Sequence, residues 1–169
     1  IKGLPQVFHQ GNAGLMDVAV DPDYEANGWI YLSYTHAIDG PKRGGIPPLM
    51  TRIIRGHILE GQWIDQEIVF EAPAEHYIPS IAHMGSRIIF DHDGYLYFSI
   101  GDYYFSITNY APGDTGNPND AQNLNLPNGK IHRVNPDGTI PAANPFINLP
   151  GVARSVFSYG HRNPQGLAF

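Results

Sequence analysis

The stretch IIFDHDGYLYFSI, residues 88–100, repeats the plan of an earlier stretch, VAVDPDYEANGWIYLSY, residues 18–34. In both, an apolar strand pattern ends in Asp-x-Asp, a turn follows, and a second strand carries Tyr-[Leu/Phe]-Ser. A glycine-bearing loop precedes each stretch, and a third such loop opens GHRNPQGLAF, residues 160–169. The marker glycines Gly14, Gly85 and Gly166 recur at near-equal intervals. This recurring loop–strand–turn unit is typical of β-propeller blades rather than of a β-sandwich.

Short strand patterns bounded by Gly, Pro, Asn or Asp run along the whole chain, and helical periodicity is hard to find. The predicted strands are 15–20, 29–35, 50–59, 67–70, 87–90, 95–100, 130–134 and 154–159. We therefore predict an all-β fold, a single domain over residues 1–169 that forms part of a β-propeller. Loops that enter the innermost strands of a propeller gather around its channel, so the loops around Gly14, His83 and Arg162 should face one another.

Composition excludes several classes of function. The net charge of −6, with Lys and Arg scattered along the chain, argues against a nucleic-acid partner. The chain has no cysteine, which removes disulfides, thiolate metal sites and cysteine nucleophiles. No run approaches the roughly 18–20 apolar residues of a membrane span.

Two loops carry side chains with chemistry beyond what a turn needs. His83 lies on a glycine-bearing loop before a predicted inner strand, and histidine suits proton removal near neutral pH. The loop GHRNPQG groups Arg162, Asn163 and Gln165 with a histidine. Arginine offers a planar donor fork, and the amides offer donors and acceptors. The alternatives are a structural histidine and a simple Asn-Pro turn. For Arg87, within a strand pattern, an ion pair between blades is the favoured role.

Aspartates cluster at the predicted turns, namely Asp17, Asp21, Asp23, Asp91 and Asp93. Asp-x-Asp can begin a calcium loop, but the remaining ligand positions of that motif are missing. Hairpin turn chemistry is therefore the favoured explanation, and we predict no metal site. The polar stretch 102–129 has no periodicity and is predicted to be a lid or rim loop.

Four motifs, taken in order, resemble the soluble quinoprotein glucose/sorbosone dehydrogenases, which include the PQQ-dependent aldose sugar dehydrogenases. They are GLMDVAVDPDYEANGWIYLSY (14–34), HMGSRIIFDHDGYLYFSIGD (83–102), GKIHRVNPDGTIPAANPF (129–146) and YGHRNPQGLAF (159–169). The resemblance covers nearly the whole chain. It implies a six-bladed β-propeller, an aldose substrate, the cofactor pyrroloquinoline quinone (PQQ) with calcium, and a periplasmic or extracellular location.

The resemblance also implies roles for individual residues. His83 matches the general base that takes the proton of the sugar C1 hydroxyl while the hydride moves to the quinone. Arg162 matches the arginine beside the quinone oxygens, and Asn163 and Gln165 match polar neighbours of the cofactor. Some family members carry a glutamine where Gly14 falls and an aspartate where Ala82 falls. Asp17 is a hypothetical substitute source of a carboxylate at the channel.

The resemblance further implies that the calcium and carboxylate sites of the cofactor follow the GHRNPQG motif. We therefore expect about half of the ring, an internal fragment lacking its N-terminal strands and C-terminal half, in which 166–169 begin the innermost strand of a further blade. Such a piece would expose blade faces, so a homodimer that closes the ring is expected. Two functions stay open: a portion of a PQQ-dependent sugar dehydrogenase, inactive alone, or a non-catalytic assembly or ligand-binding module.

Overall fold

The computed structural model describes residues 1–103 and 120–169. Its strands form two four-stranded antiparallel sheets, each built from consecutive strands in chain order. The first sheet contains β1 (Leu15–Val20), β2 (Ile30–Ala37), β3 (Leu49–Leu59) and β4 (Gln62–Phe70). The second sheet contains β5 (Gly85–Phe90), β6 (Leu96–Ile100), β7 (Lys130–Val134) and β8 (Val156–Tyr159). All eight predicted strands form, and the two sheets correspond to the two copies of the repeat.

Little else is regular in the described residues. One α-helix of four residues, α1 (Tyr24–Asn27), fills the turn between β1 and β2, and two short 3₁₀ turns cover Ala74–His76 and Asp120–Gln122. The expected start of a further strand over 166–169 stays a prediction, because its hairpin partner was not expected among these residues. These residues pair with no strand in the described part of the chain, although Phe169 packs against Tyr97 with ring centroids 4.8 Å apart. Most of the predicted rim loop, 104–119, lies outside the described residues.

The core lies between the two sheets. Alternate residues of β2 point to opposite faces, so Tyr31 joins the main core while Leu32 joins a smaller cluster on the other face. The main core is completed by fully buried residues of both sheets, including Met50, Phe98 and Ile100. Packing side chains from two sheets in one cluster fixes the angle between the sheets, because a close-packed interior deforms little.

The far face of the first sheet carries an apolar row. The strand registers align Val18, Leu32, Ile54 and Ile68 across the four strands. Leu32 and Ile54 are buried in the smaller cluster, whereas Val18 is 59% exposed and Ile68 is 50% exposed. This face is therefore an apolar sheet surface only partly covered by the chain described here.

The turn chemistry predicted for the aspartates is confirmed for Asp21 and Asp91, but it was wrong for Asp17, which lies in β1 and bonds β5. Asp91 Oδ1 accepts hydrogen bonds from the backbone N–H groups of Asp93 (3.0 Å) and Tyr95 (2.9 Å). Asp21 Oδ1 likewise accepts from Asp23 N (2.9 Å) and from the Asn27 amide (2.8 Å). These carboxylates close their own turns, as Asx-turns do.

His132 is a buried histidine that makes folding sensitive to acid. Its ring stacks on Phe98, with centroids 4.9 Å apart and planes 9° apart. Its Nε2 lies 3.0 Å from the carbonyl oxygen of Pro127, which can only accept, so Nε2 carries the proton. Nδ1 then accepts from the Ser155 hydroxyl at 2.9 Å. Burial lowers the pKa of His132 to about 4.

We expect the free energy of unfolding to fall as the pH drops from 6.5 towards 4. Between these pH values His132 is protonated in the unfolded chain but neutral in the folded chain. This difference in proton binding lowers the free energy of unfolding by up to ~3 kcal/mol. Urea unfolding at pH 7.5, 6 and 5 measures this slope, which the change His132→Gln should reduce; His36, whose pKa burial also lowers to about 4, contributes to the remainder. The change His92→Gln, at an exposed turn position, is the control. Equal slopes in the wild type and His132→Gln would contradict the assignment.

Candidate functional site

The site is built at one end of the second sheet, where β5 begins and β6 ends. His83 precedes β5, and its Nδ1 lies 2.7 Å from Oδ1 of Asp102, which follows β6. Both side chains are mostly buried, at 17% and 7% exposed. An ionised carboxylate only accepts hydrogen bonds, so Nδ1 carries the ring proton and Nε2 keeps its lone pair. This geometry equips Nε2 of His83 to accept a proton from a ligand.

The loop 161–165 is joined to this pair through the backbone. The Asp102 N–H donates to the carbonyl oxygen of Arg162 at 2.8 Å, and the Gly85 N–H donates to Oδ1 of Asn163 at 3.1 Å. The Ser99 hydroxyl adds a third link to the carbonyl oxygen of Pro164 at 2.7 Å. Of the three loops predicted to face one another, those of His83 and Arg162 are therefore in contact, and the loop before Gly14 meets the His83 loop where the Asn12 N–H donates to the carbonyl oxygen of Ile81 at 3.0 Å.

The polar side chains of this loop differ in how many of their hydrogen-bonding groups already have partners within the protein. Arg162 is exposed, and Asn163 already accepts from Gly85 through Oδ1, which leaves its NH₂ group as a donor. The ring of the neighbouring His161 lies 2.8 Å from the hydroxyl of Ser158. Burial, followed by the nearby Lys130 ammonium, lowers the pKa of His161. We therefore regard His161 as part of the local scaffold.

Gln165 lines a cavity of about 160 Å³ together with Asp17 and Arg87. Asp17 accepts from the Ile88 N–H at 2.9 Å and forms an ion pair with Arg87 at 3.4 Å. The predicted ion pair between blades is thus confirmed for Arg87. The Asp17 carboxylate joins β1 to β5, so its oxygens are already engaged by the protein. Gly14, by contrast, has no atom within 4 Å of where a Cβ would stand.

Asp102 is the site residue that the sequence reasoning missed. The signal was the pair Gly101–Asp102 at the end of a strand. A Cβ on Gly101 would lie 1.7 Å from the carbonyl oxygen of His83, so only glycine lets the two segments approach this closely. A glycine followed by an acidic residue at the end of β6 marks the place where that strand meets the histidine loop.

Lys130 stabilises the turn 120–128, next to the same end of the second sheet. Its buried Nζ donates to three backbone carbonyl oxygens, those of Asp120 (3.0 Å), Ala121 (3.0 Å) and Asn128 (2.6 Å). Burial lowers the pKa of Lys130 to about 8, which leaves an ammonium with three protons to donate at neutral pH. The carbonyl of Ala121 also accepts from the Gly160 N–H, which attaches this turn to the loop 161–165.

Residues 1–103 and 120–169 contain no group of three or more His, Asp or Glu side chains placed to hold a metal ion. Within the same ranges, no helix is long and apolar enough to cross a membrane.

The model of the Glucose / Sorbosone dehydrogenase family matches residues 1–169. The chain belongs to this family. The aldose sugar dehydrogenase YliI of Escherichia coli is 33% identical over 173 residues, covering 99% of this chain and 40% of that protein. The quinoprotein glucose dehydrogenase B of Acinetobacter calcoaceticus is 33% identical over 176 residues, covering 98% and 36%. The chain thus spans about two fifths of the length of these relatives.

Solved structures give the same result for the glucose/sorbosone dehydrogenase fold. The soluble aldose sugar dehydrogenase of Escherichia coli in its apo form superposes with a TM-score of 0.78 at 31% identity, over 96% of this chain and 42% of that chain. The PQQ-bound aldose sugar dehydrogenase of Streptomyces coelicolor gives 0.67 at 30% identity, over 94% and 40%. The predicted family and the all-β partial propeller are confirmed, and the two sheets are blades.

Proposed function

We propose that this chain is the portion of a PQQ-dependent aldose sugar dehydrogenase that supplies the general base and one side of the cofactor site. The observation that carries the proposal is the His83–Asp102 pair, which leaves the lone pair on Nε2 of His83, on a segment bonded to the loop of Arg162. Names of relatives support it, since two of them are a quinoprotein and an aldose sugar dehydrogenase. We extend the proposal to a periplasmic or extracellular location.

The donor set of this chain fits the cofactor. PQQ carries carboxylates and quinone oxygens, which are all acceptors, and the loop 161–165 presents donors. Arg162 is exposed and brings a guanidinium fork, Asn163 keeps its NH₂ group, and Gln165 lines the cavity beside β5. These three residues would hold the cofactor on the side of the second blade. Calcium is different, because the described residues show no carboxylate cluster for it, and no step below depends on it.

The proposed chemistry is oxidation of the sugar C1 hydroxyl. PQQ, when bound, supplies the acceptor for the hydride that leaves C1. Nε2 of His83 takes the hydroxyl proton, and the Asp102 carboxylate stabilises the imidazolium that results. Asp102 also keeps the ring in the tautomer that has its lone pair on Nε2. The Arg162 guanidinium stabilises negative charge that develops on the cofactor oxygens.

The proposed function is tested by adding PQQ and calcium to the purified chain and to the full-length protein. We expect aldose-dependent reduction of an artificial electron acceptor with the full-length protein and none with the 169-residue chain. Equilibrium dialysis measures PQQ binding by both samples at the same time. Turnover that is absent from the full-length protein, despite bound PQQ, would favour the alternative of a non-catalytic binding or assembly module.

A further inference from the structure

Three residues other than glycine adopt left-handed backbone conformations around the site. They are His83 (φ 52°), Ser86 (φ 75°) and Tyr103 (φ 57°). Such conformations are unfavourable for L-residues and persist only where the surrounding structure determines them. His83 and Tyr103 lie on the two segments that meet in the His83–Asp102 hydrogen bond. Contacts from elsewhere in the fold must therefore hold the segments of His83 and Tyr103 in these conformations.

The residue that contacts both segments comes from the other blade. Thr51, in the middle of the first sheet, places Oγ1 3.0 Å from the hydroxyl of Tyr103 and 2.9 Å from the hydroxyl of Ser86. The same atom lies 3.4 Å from the carbonyl oxygen of Met84. Thr51 and Tyr103 are 0% exposed, and Ser86 is 1% exposed. One buried hydroxyl of the first blade thus contacts the chain on both sides of the His83–Asp102 pair.

The phenol of Tyr103 is well suited to this contact. Burial raises its pKa, so the hydroxyl stays protonated and available for hydrogen bonding. Tyr103 directly follows Asp102, so fixing the Tyr103 side chain restrains the backbone that carries the Asp102 carboxylate. A second hydroxyl of the first blade, Ser33 Oγ, donates to the carbonyl oxygen of Ser86 at 2.6 Å.

We propose that Thr51 and Tyr103 are positioning residues, which hold the Asp102–His83 pair in its productive orientation through a hydrogen bond that crosses the blade boundary. The inference rests on the proposed function of His83 as general base. Neither side chain touches the reacting atoms. Their contribution is to fix the tautomer and the direction of the His83 lone pair, which a base needs before its substrate arrives.

The change Tyr103→Phe removes only the hydroxyl. In the full-length holoenzyme we expect kcat to fall by about 10-fold with KM unchanged, because proton transfer is misaligned while binding is untouched. The matched control is Tyr31→Phe. The Tyr31 hydroxyl is also buried and also bridges the two blades, to the carbonyl oxygen of Pro136 at 3.0 Å, but at the opposite end of the sheets. Tyr31→Phe should lower stability without lowering kcat.

Thr51 supplies a rescue test within the same design. Thr51→Ser keeps the hydroxyl and should retain kcat within about twofold, whereas Thr51→Val keeps the shape and should lose about 10-fold. If Tyr103→Phe fails to fold, this pair still decides the question. Equal kcat in Thr51→Val, Tyr103→Phe and the wild type would overturn the proposal.

A readout without cofactor separates this inference from the proposed function. The nitrogen NMR shifts of the His83 ring, measured on the purified protein without PQQ, report which ring nitrogen carries the proton. We expect the Nδ1–H tautomer in the wild type and in Tyr31→Phe, and a mixture of tautomers in Tyr103→Phe. If the full-length protein shows no turnover, the proposed function fails. Unchanged His83 ring signals in Tyr103→Phe would refute the positioning role, whatever the result of the activity measurement.

Discussion

The change Gly101→Ala is expected to lower the free energy of unfolding by about 3 kcal/mol or more, at the upper end of what overpacking costs. The added Cβ would stand 1.7 Å from the carbonyl oxygen of His83 and 2.5 Å from its carbonyl carbon. Both are backbone atoms, so no side-chain rotation can relieve the clash. Gly101 is also held by two backbone hydrogen bonds, from its N–H to Met84 O (3.1 Å) and to its carbonyl from Gly129 N (2.9 Å).

The comparison that isolates this effect is Gly166→Ala. Gly166 has no atom within 4 Å of a built Cβ and no positive φ, so the change should stay within about 0.5 kcal/mol of the wild type. Urea unfolding of both variants at pH 7.5 gives the two free energies. Two variants of similar stability would mean that the close approach of Gly101 to His83 does not exist in solution.

Replacing His83 by asparagine is expected to lower turnover of the full-length holoenzyme by about 10²–10⁴-fold, the usual contribution of a positioned general base. Asparagine is chosen because His83 has a φ of 52°, a conformation that asparagine tolerates better than most residues. It cannot accept the substrate proton at neutral pH. The fold should therefore survive while the proton-transfer step is lost.

The control for that experiment is His76→Asn, at a half-buried position of the 3₁₀ turn Ala74–His76. Initial rates with an aldose and an artificial acceptor give kcat, and dialysis confirms that both variants hold PQQ. We expect His76→Asn to match the wild type. Normal turnover in a folded, PQQ-loaded His83→Asn protein would remove His83 from the mechanism.

The sequence predicted strands well where apolar residues recur along the run between two turn signals. The predicted 15–20 and 130–134 agree with β1 (Leu15–Val20) and β7 (Lys130–Val134) at both ends. The prediction 67–70 recovered only the last part of β4 (Gln62–Phe70). This strand lies at the edge of its sheet, and Asp65, Gln66 and Glu67 face solvent, so its sequence lacks the apolar alternation that marks a strand.

The site was predictable to the level of loops but not of contacts. A histidine on a glycine-bearing loop and four polar side chains in GHRNPQG stand out in the sequence. The partner of His83 does not, because Asp102 reaches it only after the β5–β6 hairpin returns the chain to the same end of the sheet. The link from Asp102 to Arg162 uses a backbone carbonyl, which no side-chain pattern reveals. The ring tautomer follows from these contacts alone.

Lys130 gives the chain, at neutral pH, a cation that cannot dissociate from it. An ammonium surrounded by three carbonyl oxygens does for the turn 120–128 what a bound metal ion does for many protein loops. The charge is attached covalently, so its occupancy does not vary with ion concentration. The turn 120–128, and the loop 161–165 that is attached to it, therefore keep this cation without any bound ion. One side of the proposed cofactor site is thus assembled by the chain's own residues.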